Sequence, residues 1–357
     1  MKKKLLNCSF FYYLNVIIQI EVHRMQKIKY LIKRICSMNF GGFFKTIKDV
    51  HRKTKKNSIL IFFDVIYCGI KYQAGYIDYN LFEMYDMNKY QRSTVITRGI
   101  NNEIITKYND PEYMTIFNDK ITFNKKFNKY LKRDWLELND NNRNEFVKFC
   151  KKHSKFIAKP TKESCGKGVE LIDTKDKDLK ELYNELYTTN RILVEEVVEQ
   201  CDEINKLHPD SINTLRVVTL RGIVVTALLR IGNNHNNVDN FNHEGLCVPI
   251  DVEDGIIKYQ AIDKKGNLYE NHPLTNEKII DFKVPRWDEV KKFCESAALE
   301  IPQVGYIGWD VCVTKDDICF IEANEFPGHD LYGLPPHRTN NIGLLPNFKE
   351  AMEKEID

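Results

Sequence analysis

At 357 residues, 43% hydrophobic and 29% charged, the chain has apolar content for one large, elaborated α/β domain or about two domains. That composition excludes a disordered, collagenous or disulfide-scaffold protein. The net charge of only +3 hides an asymmetry: residues 1–56 hold fourteen Lys/Arg against two Asp/Glu, making this segment +12 and the remainder −9. Such an imbalance predicts a basic, helical N-terminal arm ahead of a weakly acidic body. Within the arm, Lys2-Lys3-Lys4 precedes a mostly apolar run over residues 5–20. Asn7, Ser9, Asn15 and Gln19 interrupt that run and no small-residue cleavage site follows, so it reads neither as a signal peptide nor as a membrane span. A translation start at Met25 is the bland alternative. Over residues 27–36, Ile28, Leu31, Ile32 and Ile35 share one helical face, with Lys29, Lys33 and Arg34 elsewhere. This basic amphipathic helix suits peripheral contact with an anionic membrane surface, and equally a helix packed on its own domain. Nucleic acid is not indicated, because no reader motif or aromatic-basic interleaving accompanies the charge. Ten cysteines without close spacing or zinc-type pairs fit reduced packing thiols and a cytoplasmic protein, peripheral at the inner membrane face if the arm binds lipid.

Residues 59–64, Ile-Leu-Ile-Phe-Phe-Asp, read as a buried strand opening a small α/β region at 57–115, ahead of a main domain at 116–350. A helical stretch opens at 117–120 and runs to about Arg133, and residues 144–153 form an amphipathic helix. Phe156-Ile157-Ala158-Lys159 then reads as a strand ending in a lysine. After it comes a loop with Gly166-Lys167-Gly168, then a second short strand at 169–172. Glycines there let backbone N–H groups close over phosphates, although a plain hairpin turn explains Gly-x-Gly as well. The spacing is not that of a P-loop. A further strand carries Glu195 and Glu196 into a connector with Val198, and Asp202 lies beyond. Two long strands around the turn Arg221-Gly222 bear Arg216 and Arg230 among apolar neighbours. Arginine is seldom buried without a partner, and its fork fits phosphate or carboxylate oxygens. A helix is predicted over residues 287–299.

Near the C-terminal end, two apolar runs flank Lys315-Asp316-Asp317 and predict an antiparallel hairpin. Asp310 interrupts the first run. Glu322 and Asn324, two residues apart, share one face of the second. Three oxygen ligands converging from adjacent strands suit a hard cation such as Mg²⁺.

The ordered set of strand lysine, Gly-rich flap, Val-Glu-Glu-Val-Val connector, arginine-bearing strands, strand Asp310 and Glu322-x-Asn324-x-x-Pro327-Gly328 resembles the ATP-grasp superfamily. More narrowly, it is similar to the ATP-grasp proteins associated with sugar transfer and surface-polysaccharide clusters. That resemblance rests on Asp78-Tyr79, Gln91-Arg92, Asn118-Asp119-Lys120, Ser211-x-Asn213-Thr214-Leu215-Arg216, Leu229-Arg230-Ile231-Gly232 and Asn240-Phe241, and spans roughly residues 60–345. It implies an α+β ATP-grasp fold, with ATP between the sheets of two subdomains, behind a small α/β domain and the basic arm. It further implies that Lys120 and Lys159 hold ATP phosphates, that Gly166, Lys167 and Gly168 form the closing flap, and that Glu195, Glu196 and Val198 line the adenine pocket. Asp202 takes the ribose. Asp310, Glu322 and Asn324 carry two Mg²⁺ ions, while Arg216 and Arg230 meet the transferred phosphoryl group or an acyl phosphate. One departure is Asn242-His243-Glu244-Gly245, where the resemblance predicts paired glycines at an acceptor-facing rim.

Elementary electrostatics agrees with that set. ATP brings about four negative charges and a carboxylate nucleophile a fifth, so transfer needs cations around the moving group. The expected reaction joins a small-molecule or glycan carboxylate, such as a sugar acid or amino acid in surface-polysaccharide biosynthesis, to an amine. Phosphoryl transfer to a hydroxyl and a non-catalytic nucleotide-binding scaffold are the alternatives, because one fold hosts many reactions.

Overall fold

The computed structural model describes residues 39–163, 167–233 and 245–354. The expectations placed on residues 27–36, on Gly166 and on 240–244 lie outside these residues. The chain divides into two compact units, one ending at Asp86 and the other beginning at Met87.

The described residues of the first unit are helical, with α1 (Phe40–Thr54), α2 (Ser58–Lys71) and α3 (Tyr76–Leu81). Asn39 caps α1 by accepting from the Gly42 amide at 3.0 Å, and Asn57 caps α2 through the Ile59 amide at 2.8 Å. The predicted strand at 59–64 is therefore part of a helix. A short apolar run does not distinguish a buried strand from a helix, and here the Asn57 cap and the spacing of buried Ile61, Val65 and Cys68 decide it. Phe43 packs edge-on against Phe62 and Tyr76, and the Tyr79 hydroxyl donates to Asp64 at 2.7 Å. The rest of the predicted α/β region is helical too, through α4 (Arg98–Tyr108) and α5 (Pro111–Asn118). Asp78 and Gln91, both in motifs that carried the resemblance, serve helix N-termini, accepting from the amides of Gly75 (3.1 Å) and Asn88 (2.9 Å).

The second unit is built on two antiparallel sheets. The smaller has β1 (Trp135–Glu137), β2 (Lys155–Lys159), β3 (Glu170–Asp173) and β4 (Leu193–Glu196) in the order β1-β4-β2-β3. It packs on α7 (Arg143–Lys152) and α8 (Leu179–Thr188) through Phe146, Phe149, Phe156, Leu182 and Tyr183. Between α5 and this sheet lies α6 (Lys120–Lys126), capped by Asp119 through the Thr122 amide at 2.8 Å.

The larger sheet has seven strands. β5 (Leu215–Leu220), β6 (Ile223–Ile231), β7 (Leu246–Ile250), β8 (Ala261–Ile262), β9 (Leu268–Tyr269), β10 (Tyr306–Val313) and β11 (Ile318–Asn324) stand in the order β11-β10-β5-β6-β7-β8-β9. The β5–β6 turn holds Arg221 and Gly222 at φ 53° and 78°, the pair of positive values a two-residue hairpin needs. Helix α9 (Asp202–Leu207) follows β4, α10 (Trp287–Leu299) buries Trp287, Val290, Cys294, Ala297 and Ala298, and α11 (Leu345–Glu353) closes the chain. Trp309 is the centre of the core. It stacks on Phe320 with ring centroids 4.6 Å apart and donates its indole N–H to Thr219 Oγ1 at 2.9 Å. Ile307, Trp309, Val311 and Val313 alternate into this core, which turns Gly308, Asp310 and Cys312 to the opposite face. Folding also sets Cys312 opposite Cys319 in the β10–β11 register, a pairing that sequence spacing did not reveal.

Candidate active site

The predicted hairpin forms, and its register places Asp310 opposite Glu322 and Gly308 opposite Asn324. On the other side of β10, Asp310 is opposite Arg216 of β5. Three adjacent strands thus carry guanidinium, carboxylate and carboxylate in one row. Arg216 grips Asp310 with two hydrogen bonds, from Nε to Oδ1 and from Nη2 to Oδ2, the latter at 2.8 Å. Arg230 of β6 adds a third, from Nη1 to Oδ2 at 3.2 Å. Burial alone would raise the Asp310 carboxyl, but Arg216 and Arg230 hold it below its ordinary value. Glu322 goes the other way, because burial and the Asp310 charge beside it push its carboxyl up.

These residues fit a hard divalent cation. Two adjacent carboxylates, one of them resisting ionisation, are a like-charge pair that a cation between them would relieve. Oδ2 accepts from both arginines but Oδ1 accepts only from Arg216 Nε, so Asp310 can ligate through Oδ1 without releasing its arginines. The Asn324 Nδ2 is buried with no hydrogen-bond partner, which leaves that amide uncommitted beside the pair. The buried Arg230 Nε is likewise unpartnered.

A second buried network stands on the smaller sheet. Lys159, at the end of β2, lies 2.6 Å from Glu195 Oε2. Glu195 also accepts from Asn124 Nδ2 at 2.7 Å and from Arg133 Nη2 at 3.1 Å. Burial opposes ionisation of Glu195, yet Arg133 and Lys159 outweigh it and bring the carboxyl down to about 2. Burial pulls the Lys159 ammonium below its ordinary value, against Glu195, which supports it. Arg133 also donates to the carbonyls of Phe320 and Ile321 on β11. One guanidinium therefore ties the two sheets together. Sequence reasoning missed Arg133 and Asn124, since nothing local distinguishes Arg133 from the surface charges Lys132 and Asp134 beside it.

Between the networks opens a cavity of ≈ 180 Å³ lined by Lys120, Asn124, Lys159, Glu322, Asn324 and Glu325, among others. Lys120 sits at the start of α6, donating its ammonium to the Glu163 carbonyl. Burial raises the Glu325 carboxyl, a lining group the sequence reading did not single out. Other predicted residues lie elsewhere. Lys167 is exposed, 3.7 Å from Glu163, while Gly168 adopts φ 74° against the Pro160 ring. The side chain of Glu195 is occupied by Lys159 and Arg133. Glu196 faces away from them, accepting from the Asp134 amide at 2.9 Å and lying 3.7 Å from His153 Nδ1. Val198 is half-buried and Asp202 exposed, and neither lines the cavity. Asn213, from the Ser-x-Asn motif, is structural: its Nδ2 donates to the His208 carbonyl (2.8 Å) and its Oδ1 accepts from the Gly232 amide (3.0 Å).

Residues 99–347 match the sugar-transfer associated ATP-grasp family. The chain belongs to that family. The expected ATP-grasp fold is thereby borne out, with α+β architecture and two antiparallel sheets. Solved structures similar to this ATP-grasp chain include the ligase PsnB in complex with a minimal precursor, Mg and ADP, at 15% identity and TM-score 0.38, covering 62% of this chain and 54% of that one. They also include D-alanine–D-alanine ligase from Bacillus anthracis (15%, 0.38, covering 71% and 69%) and the D-cycloserine synthetase DcsG (9%, 0.39, covering 68% and 71%). The chain thus spans about half the length of that PsnB chain. No curated protein sequence matches it.

Proposed function

We propose that this ATP-grasp protein is an ADP-forming ligase that activates a carboxylate as an acyl phosphate and joins it to an amine. The observation that carries the reading is Glu322 and Asn324 lining one cavity with Lys120 and Lys159, with Asp310 opposite Glu322 on the neighbouring strand and gripped by Arg216 and Arg230. Asp310, Glu322 and Asn324 would hold Mg²⁺, two ions in all, and bound Mg²⁺ would neutralise phosphate charge. Lys120 and Lys159 supply fixed ammonium groups for the phosphate chain, with Glu195 opposing the loss of charge that burial favours at Lys159. Arg216 and Arg230, pinned by Asp310, present guanidiniums that need no reorganisation as charge develops. A carboxylate oxygen attacks the γ-phosphorus, and the bond to ADP breaks with its electron pair leaving on ADP. The amine then attacks the acyl carbon, expels phosphate and loses one proton. A sugar acid or amino acid of a surface glycan is the proposed carboxylate class, in keeping with the sugar-transfer family.

The test is ADP release by purified protein with Mg²⁺-ATP, offered pools of sugar acids and amino acids singly and together, with hydroxylamine as a trap. The reading requires release that depends on a carboxylate and an amine together, and a hydroxamate when hydroxylamine replaces the amine. Release with a neutral sugar alone, without hydroxamate, would establish phosphotransfer to a hydroxyl.

A further inference from the structure

Helix α2 buries Ile61, Val65 and Cys68, yet it is apolar on its outer face as well. Ile59, Phe63, Ile66 and Ile70 recur at intervals of four, three and four residues, with Leu60 and Tyr67 alongside. Exposure runs from 40% at Ile66 to 68% at Leu60. A continuous stripe of this kind is unusual on a soluble surface and marks a contact site. No acidic side chain stands exposed along it, since Asp64 is part-buried and accepts from the Tyr79 hydroxyl. The surroundings are basic. From Asn39 to Lys71 there are seven Lys/Arg and two Asp/Glu, with Lys55 ahead of α2, Lys71 at its end, and Lys45, Lys48 and Lys53 exposed on α1, while Lys56 is paired with exposed Asp86 at 2.7 Å.

We infer that the outer face of α2 is a docking surface for an anionic lipid bilayer, on which the helix lies in the interfacial plane. Charge selects this occupant. Pairing α2 with a second copy sets lysines against lysines at both ends, whether the helices run parallel or antiparallel, whereas anionic headgroups complement those lysines. Tyr67 is a ring of the kind that settles at the headgroup boundary, and Phe63 of the kind an interfacial helix buries on its apolar face. The helix does not span: fourteen residues reach roughly 21 Å against a hydrocarbon core of about 30 Å. No helix among the described residues is long and apolar enough to cross a membrane. The inference is independent of the nucleotide chemistry and adds a specific apolar contact to the basic arm predicted from sequence.

The test is co-sedimentation of the full chain with phosphatidylcholine vesicles, with and without phosphatidylglycerol. The wild type should pellet with the anionic vesicles. Ile59→Glu/Phe63→Glu/Ile70→Glu, at positions already in solvent, should lower that partition at least about tenfold with circular dichroism unchanged. Phe63→Trp supplies a readout that does not depend on the triple variant folding: its added emission should shift to the blue with anionic vesicles and stay unshifted with neutral ones. Wild-type partition in the triple variant, or no emission shift, would overturn the assignment. So would a wild-type dimer that ignores vesicles and becomes monomeric in the triple variant, which would mark a self-association face.

Discussion

The two polar networks flanking the cavity are both buried and both charged, but they are balanced differently. Around Glu195, one carboxylate serves two cations, Lys159 and Arg133, and Asn124 adds a neutral donor, so each charged group has a direct partner. Around Asp310, two arginines face two carboxylates, yet both grip the same one, and Glu322 stands against Asp310 with its carboxyl pushed up. The first network is complete as folded and holds the sheets in register through Arg133. In the second, both arginines are spent on Asp310, and the proposed Mg²⁺ would give Glu322 a cation of its own. We propose that direct pairing, rather than burial, separates structural from functional charge here, since burial is common to both.

The sharpest way to break this comparison is Glu322→Ala. It should lower Mg²⁺-dependent ADP release by at least about 10³-fold while leaving the denaturation midpoint within error or raised, because a strained carboxylate is removed. A normal rate would end the metal assignment. Glu195→Ala should act mainly on stability, at about 3–5 kcal/mol in a urea titration, since it leaves two cations buried without an anion. If the two variants show the same split between rate and stability, the distinction is wrong.

Acid sharpens the contrast. Glu195 has a folded value of about 2 against 4.5 for the free group. Its contribution, on the order of 3 kcal/mol, is fully present above pH 4.5 and is lost as pH falls from 4.5 through 2. Glu195→Gln should flatten the stability profile over that window. Glu322, with a raised value, behaves oppositely: Mg²⁺ must displace whatever proton it holds. Mg²⁺ affinity should therefore fall as the medium is acidified, with proton release on binding measurable by calorimetry in buffers of different ionisation enthalpy. The smallest effect is expected in the core behind the hairpin. Trp309→Phe keeps the stack on Phe320 but leaves Thr219 without its indole donor, at about 1–2 kcal/mol and with little change in rate.

The β10–β11 hairpin was legible because its information is local. Period-two alternation and a polar turn specify both the pairing and the face, so Asp310, Glu322 and Asn324 could be placed together from sequence. Arg216 and Arg230 were legible as misfits in apolar strands, although their grip on Asp310 depends on a strand order that brings β10 beside β5. Glu195 and Glu196 show the limit of local reading. Alternation sends neighbouring residues to opposite faces, and only the packing of β4 reveals that Glu195 meets Lys159 while Glu196 meets Asp134 and His153. Residues 59–64 failed for a different reason: the energetics of a short apolar run are nearly the same in helix and strand, and the Asn57 cap with the helical spacing of buried Ile61, Val65 and Cys68 decided between them. By itself, then, the sequence determined the ATP-grasp family, the hairpin and the row of Asp310, Glu322 and Asn324 on it, all products of short-range pattern. Tertiary structure alone decided Arg133, the partner of Glu195 and the outward face of α2, because each depends on which distant surfaces meet, or are left unmet, after the chain has folded.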